Sequence, residues 1–256
     1  MKAAAFDLVR PVEFAGALDA LAVHPGARAM AGGQSLGPML NLRLARPEVL
    51  VQLGGIDALG GAEDGPDAVT IGACVTHAAI EDGRTPDIGG GVLARIAGGI
   101  AYRAVRNRGT IGGSLCHADP AADWVTTLMA LDASVLIRGG AGVRSMPLEN
   151  FVLGAFRTEL QLGELLEAVR IPRLPPDVRF GYFKACRKPG EFAHAMAAVV
   201  VRADGLRAVI GATGNKPVAI PHLDDARGAL ERAGVDPIGV HMQLVALRRA
   251  MSQAGA

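Results

Sequence analysis

Two short runs of small residues, Ala31-Gly32-Gly33-Gln34-Ser35 and Thr110-Ile111-Gly112-Gly113-Ser114, each put a Gly-Gly step and a hydroxyl at a point where the chain changes direction. Glycine has no Cβ, so it accepts positive φ and lets a ligand approach the backbone. Successive N–H groups can then form a nest for an anion. One such loop is a common turn. Two, separated by about half a domain and each leading into a predicted helix, point to a long phosphate-bearing ligand gripped from two sides.

The frame around the loops is that of an ordinary globular chain. Its 256 residues suit one large or two modest domains. Half of the residues are hydrophobic but only 4% are aromatic, so Ala, Val, Leu and Ile must build the core. With 26 basic and 25 acidic residues the net charge is +1, and no global field favours nucleic acid or an anionic membrane. Lys2, Asp7 and Arg10 interrupt the apolar residues of the first dozen positions, which argues against a signal peptide. No segment reaches the roughly 18 to 20 apolar residues of a membrane span. The three cysteines, Cys74, Cys116 and Cys186, form no Cys-x-x-Cys pair that could start a zinc or iron–sulfur site. Their odd number and the missing export signal indicate the reducing cytoplasm and buried thiols.

Periodicity orders the elements. Phe14, Leu18 and Leu21 share a helical stripe that begins near Pro11 and stops near His24-Pro25-Gly26. A strand over Arg28 to Ala31 feeds the first loop, and Ser35 is placed to cap the helix that follows through Met39, Leu40 and Leu44. Val49 to Leu53 and Ala68 to Ile71 read as strands around a surface turn from Gly54 to Asp67. Thr76 caps a short helix, and Ile88 to Ile100 is a loose one. After the second loop, Asp119 and Pro120 are predicted as N-cap and first residue of a helix through Leu131. Strands follow at Val135 to Ile137 and Leu165 to Ile171. Pro172, Pro175 and Pro176 then mark a linker. Beyond it, Phe180 to Cys186, Ala195 to Val201 and Arg207 to Ala212 form a three-stranded antiparallel sheet, with helices over Pro221 to Ala233 and Gly239 to Met251.

Several motifs compete for the chemistry. Gly89-Gly90-Gly91-Val92-Leu93-Ala94 matches the dinucleotide fingerprint letter by letter, but a charged stretch precedes it where a strand is required. Gly33-Gln34-Ser35-Leu36-Gly37 matches a hydrolase nucleophile elbow. Only about thirty residues precede it, too few for the sheet an elbow stands on, and a hydrolase gives no reason for the second Gly-Gly-Ser loop. In His117-Ala118-Asp119-Pro120-Ala121-Ala122-Asp123, Asp119 has a sufficient role as a cap. Asp123 lies close enough to accept a hydroxyl from a ligand on the loop, or serves only as a first-turn acid.

Taken together, Ala31 to Ser35 followed by Leu42-Arg43-Leu44, the run from Val105 to Ser114, and His117 to Asp123 resemble the FAD-binding medium subunit of molybdenum hydroxylases. This is the family of the aerobic carbon monoxide dehydrogenase flavoprotein and the xanthine dehydrogenase FAD domain. The likeness spans nearly the whole chain, with three motifs in order.

That resemblance implies an α+β chain with an FAD-binding fold of the vanillyl-alcohol-oxidase (PCMH) type. Residues 1–175 would hold FAD as two subdomains, about 1–54 and 55–175, and residues 176–256 would form the C-terminal sheet-and-helix domain. By the same carry-over, Ala31, Gly32, Gly33, Gln34 and Ser35 and Thr110, Ile111, Gly112, Gly113 and Ser114 hold the pyrophosphate. Asp123 meets the adenosine end, and Leu160 and Lys184 touch the flavin. Phe192 stands where relatives commonly carry Tyr beside the isoalloxazine ring, so the hydrogen bond of a phenol is missing there. Arg103, Arg106 and Arg108 form a solvated basic face, a dock for a partner, or compensation for the pyrophosphate. The implied function is that of a cytoplasmic oxidoreductase subunit with no catalytic or metal-binding residue of its own. It takes electrons from two [2Fe-2S] clusters in a small partner, downstream of a molybdenum cofactor in a large one, in a dimer of heterotrimers. A stand-alone FAD-dependent oxidoreductase is the alternative, and a serine hydrolase acting through Ser35 a more distant one.

Overall fold

A computed structural model describes residues 2–256. Its first sheet is parallel, with Asp7–Val9 and Arg28–Met30 on either side of Val49–Gln52. Parallel neighbours need crossovers. Helix Phe14–Val23 supplies one, and helix Leu36–Asn41, directly after the first Gly loop, supplies the other. The loop therefore sits at the carboxyl end of a strand, where open parallel sheets place their ligands.

The second sheet is antiparallel, in the order Ala62–Asp64, Ala68–Gly72, Leu165–Pro172, Ser134–Gly139, Gly142–Pro147. Two of these strands lie outside the expected set. Ala62–Asp64 falls within the stretch read as a turn and is fully exposed, and Gly142–Pro147 is an exposed edge, so neither shows apolar alternation. Helices Val92–Gly98, Ile111–His117 and Asp123–Ala130 bury Ile96, Leu115, Trp124 and Leu128 in one core with Val69, Ile71, Val135 and Val169.

The C-terminal sheet contains the three expected strands, as Arg179–Ala185, Ala195–Arg202 and Gly205–Gly211. A fourth, Val218–Ile220, adds to the edge and is too short to read from its pattern. Ala195, Ala197 and Val199 face helices Ala226–Arg232 and Pro237–Ala254, whereas Ala198 and Val200 join the main core. An unbroken apolar run is the signature of such a doubly covered strand. The long helix starts two residues earlier than its stripe predicts because Asp236 caps it, accepting from Ile238 N and Gly239 N at 3.0 and 3.1 Å.

One predicted helix start is corrected. The helix after the second loop begins at Asp123 behind Ala122, not at Pro120 behind an Asp119 cap. Ala118 takes a left-handed φ of 49° and ends helix Ile111–His117, and the Asp119 carboxylate accepts from Ala121 N at 2.9 Å. Asp119 closes a turn between two helices and caps neither.

Candidate functional site

The two Gly loops lie against one another. A Cβ on Gly32 would stand 1.9 Å from the carbonyl oxygen of Arg108 and 2.9 Å from Gly109 Cα, and one on Gly113 would meet the Ala31 methyl at 3.6 Å. Gly32 is thus obligatory for a close approach, and the loops share one floor. The N–H groups of Gly32, Gly33, Gln34 and Ser35 find no acceptor within the described residues. Gly33 takes a left-handed φ of 71° within this row. Four adjacent free donors at a strand end suit an oxyanion.

The second loop differs from the expected nest. Ile111 N donates to Val75 O and Gly112 N to Ala73 O, at 3.1 and 3.0 Å, while Gly113 N and Ser114 N donate to the Thr110 hydroxyl and carbonyl, each at 3.0 Å. All four amides are engaged. Gly112 is required because Ala73 would lie 2.4 Å from its Cβ. What this loop still offers a ligand is the half-buried Ser114 hydroxyl and the shape of the wall.

Ser35 does not form a nucleophile elbow. Its φ and ψ of −102° and −48° are ordinary, its hydroxyl is exposed and caps nothing, and no histidine is hydrogen-bonded to it. The strained elbow geometry is absent from this turn.

Asp123 and Lys184 meet directly. Lys184 Nζ lies 2.7 Å from Asp123 Oδ1 and donates also to Gly99 O at 2.8 Å. Tyr182, two residues earlier on the same strand face, donates its hydroxyl to the same Oδ1 at 2.7 Å. Burial, reinforced by the Asp123 carboxylate, pushes the Tyr182 hydroxyl well above its ordinary pKa and keeps it a donor. The ion pair joins the C-terminal sheet to the helix that follows the second loop. The pattern reading missed Tyr182; the Tyr-x-Lys alternation on one strand face was its only signal.

Of the three arginines ahead of the second loop, two are engaged internally. Arg103 bonds Asp82 and Glu81, and Arg106 forks onto Glu81 at 2.7 and 2.8 Å. Arg108 alone among them has no carboxylate partner. Leu160 packs partly buried against the main core, just beyond the strand Arg157–Thr158 that lies beside helix Ile111–His117. Phe192 is 69% exposed, on a loop whose Gly190 rests on Ala101 and Tyr102. Burial pushes the Cys74 and Cys116 thiols up to about 11 and about 12, leaving both protonated and unreactive at neutral pH.

A sheet-end loop with free amides packed against a second Gly loop gives the chain a candidate anion-binding site. Residues 4–174 match the family model described as the FAD binding domain in molybdopterin dehydrogenase, and the chain belongs to that family. It is 35% identical to the carbon monoxide dehydrogenase medium chain of Afipia carboxidovorans, covering 98% of this chain and 86% of that one. It is 33% identical to the nicotine 6-hydroxylase medium subunit of Paenarthrobacter nicotinovorans, covering 90% and 83%. Among solved structures, the Cu,Mo-CO dehydrogenase in its cyanide-inactivated form contains a chain that superposes with a TM-score of 0.90 at 32% identity, covering 99% of both. Quinoline 2-oxidoreductase from Pseudomonas putida 86 gives 0.87 at 29% identity, covering 99% and 98%. The chain is an FAD-binding medium-subunit type of oxidoreductase component.

Proposed function

We propose that this chain is the electron-transfer subunit of a multi-subunit molybdenum hydroxylase. It receives electrons from [2Fe-2S] clusters in a small partner, with a molybdenum cofactor in a large partner, and passes them to an external acceptor. The observation that carries the proposal is the row of unpartnered N–H groups from Gly32 to Ser35, aimed from a sheet end beside a second Gly loop. FAD, when bound, supplies an acceptor that exchanges electrons singly or in pairs.

The residues divide the work of holding it. The amides of residues 32–35 and the hydroxyls of Ser35 and Ser114 neutralise a diphosphate. Thr110, Ile111, Gly112 and Gly113 form its second wall. Asp123, with Oδ1 taken by Tyr182 and Lys184, keeps Oδ2 to accept from a ligand N–H or O–H. Leu160 and Phe192 offer apolar contact. In this scheme residues 1–175 carry the cofactor, as subdomains of about 1–54 and 55–175, and residues 176–256 reach back with Lys184. We assign the assembly as a dimer of heterotrimers in the cytoplasm; no helix among the described residues is long and apolar enough to cross a membrane.

Titration of the purified chain with FAD, followed by flavin fluorescence, tests the site. A tight one-to-one complex is expected. Ser35→Ala should weaken it by about tenfold, the effect of losing one hydrogen bond to a charged group. A colourless chain that binds no flavin overturns the proposal, as does an isolated assembly without molybdenum and iron.

A further inference from the structure

The corner Gly99–Tyr102, ahead of the second loop, is held by two partly buried cations. Lys184 takes the Gly99 carbonyl at 2.8 Å. Arg106 Nη1 takes the next two, Ile100 O and Ala101 O, each at 3.0 Å. Arg106 is itself clamped: Nε and Nη2 fork onto the two oxygens of Glu81 at 2.7 and 2.8 Å, and its side chain is only 11% exposed. A bidentate carboxylate–guanidinium pair fixes orientation as well as charge, which an ammonium cannot do.

The corner needs such a clamp because Ala101 sits at φ 43°, a conformation that a residue with a Cβ adopts only under constraint. The constraint is shared with the ligand-facing parts. The carbonyl of Ala101 would lie 2.8 Å from a Cβ on Gly190, itself at φ 87°, so the loop carrying Phe192 is seated on this corner. Four residues beyond Arg106, Thr110 opens the second Gly loop, and the intervening Arg108 carbonyl is the atom on which Gly32 closes. The corner that this guanidinium holds is thus also the seat of the Phe192 loop and carries the carbonyl that Lys184 takes, and it leads in sequence to the Arg108 carbonyl on which Gly32 closes.

We propose that Arg106, oriented by Glu81, is a positioning residue for the flavin site: it fixes the left-handed Ala101 corner on which the Phe192 loop and the second Gly loop are registered. The inference rests on the FAD reading above, and the test separates the two. Wild-type chain, Arg106→Lys, Glu81→Gln and the double variant Arg106→Lys/Ala101→Gly are compared for FAD dissociation constant, visible circular dichroism of the bound flavin and thermal midpoint. Arg106→Lys should weaken FAD binding by about tenfold and change the flavin circular dichroism, the order expected when a left-handed non-glycine residue loses its restraint. Glu81→Gln should move both readouts in the same direction by less. Ala101→Gly should restore affinity and spectrum in the Arg106→Lys background, because glycine holds that φ without a clamp. If Arg106→Lys does not fold, Glu81→Gln and its own Ala101→Gly double variant carry the comparison. Wild-type affinity and spectrum in the folded single variants, or no recovery with Ala101→Gly, overturns the inference. Absence of FAD binding by the wild-type chain overturns the underlying FAD reading instead, and the inference with it.

Discussion

At Gly32 a single hydrogen separates two loops. Replacing it by Ala puts a methyl 1.9 Å from the Arg108 carbonyl, and neither neighbour is a flexible side-chain end that could step aside. Gly32→Ala should cost about 1–3 kcal/mol by overpacking and weaken FAD binding in parallel. A melting curve and a flavin titration unchanged from wild type contradict the contact. Thr126 presents the opposite case. Its fully buried hydroxyl has no hydrogen-bond partner, so a polar atom sits in the core without return. Thr126→Val keeps the shape and removes the orphan, and denaturant unfolding should show equal or higher stability, by up to about 1 kcal/mol. At this scale the close-packed glycines Gly32 and Gly112 were legible because loop geometry is local. Tyr182 and the Arg106–Glu81 fork were not, since their partners lie 59 and 25 residues away, and no spacing rule brings them together.

Between elements, His77 is the joint. It opens helix His77–Glu81, its N–H donates to Gly109 O, and its ring lies beneath Gly109, where an added Cβ would stand 2.9 Å from Nε2. Trp124, from helix Asp123–Ala130, donates its indole N–H to His77 Nδ1 at 3.1 Å, so the imidazole is neutral with its proton on Nε2. Burial, with a smaller contribution from the Arg106 charge, lowers its pKa to about 4. The unfolded chain takes up this proton near pH 6.5, earlier than the folded one. The stabilisation is therefore complete above about pH 6.5 and is lost as pH falls toward 4, an effect of about 3 kcal/mol. His77→Gln, which keeps an acceptor for Trp124, should flatten the fall in denaturation free energy between pH 6.5 and 4.5; an unchanged slope refutes the assignment. Long elements such as Leu165–Pro172 and Pro237–Ala254 were readable from their apolar pattern, though not the Asp236 cap of the second. The exposed edge strands Ala62–Asp64 and Gly142–Pro147 were not, because backbone pairing makes them strands while their side chains meet water. Asp119 misled because an Asx turn and a helix cap use the same carboxylate chemistry.

Across the whole molecule, one apolar core runs from Ala17 through Trp124 to Val209 and touches the three larger sheets. The Tyr182–Asp123–Lys184 cluster ties the C-terminal sheet to the helix after the second loop. A core shared in this way predicts a single cooperative transition in calorimetry; two resolved transitions, one belonging to residues 176–256, contradict it. The two Gly loops also differ in how ready they are before a ligand arrives. The second has every amide from Ile111 to Ser114 already bonded to protein, and the first has its donors from Gly32 to Ser35 without a protein acceptor among the described residues. Cofactor binding therefore adds hydrogen bonds at four amides of one jaw and none at the amides of the other. Amide hydrogen exchange makes this visible: on FAD binding, Gly32 to Ser35 pass from fast to slow exchange while Ile111 to Ser114 stay protected throughout.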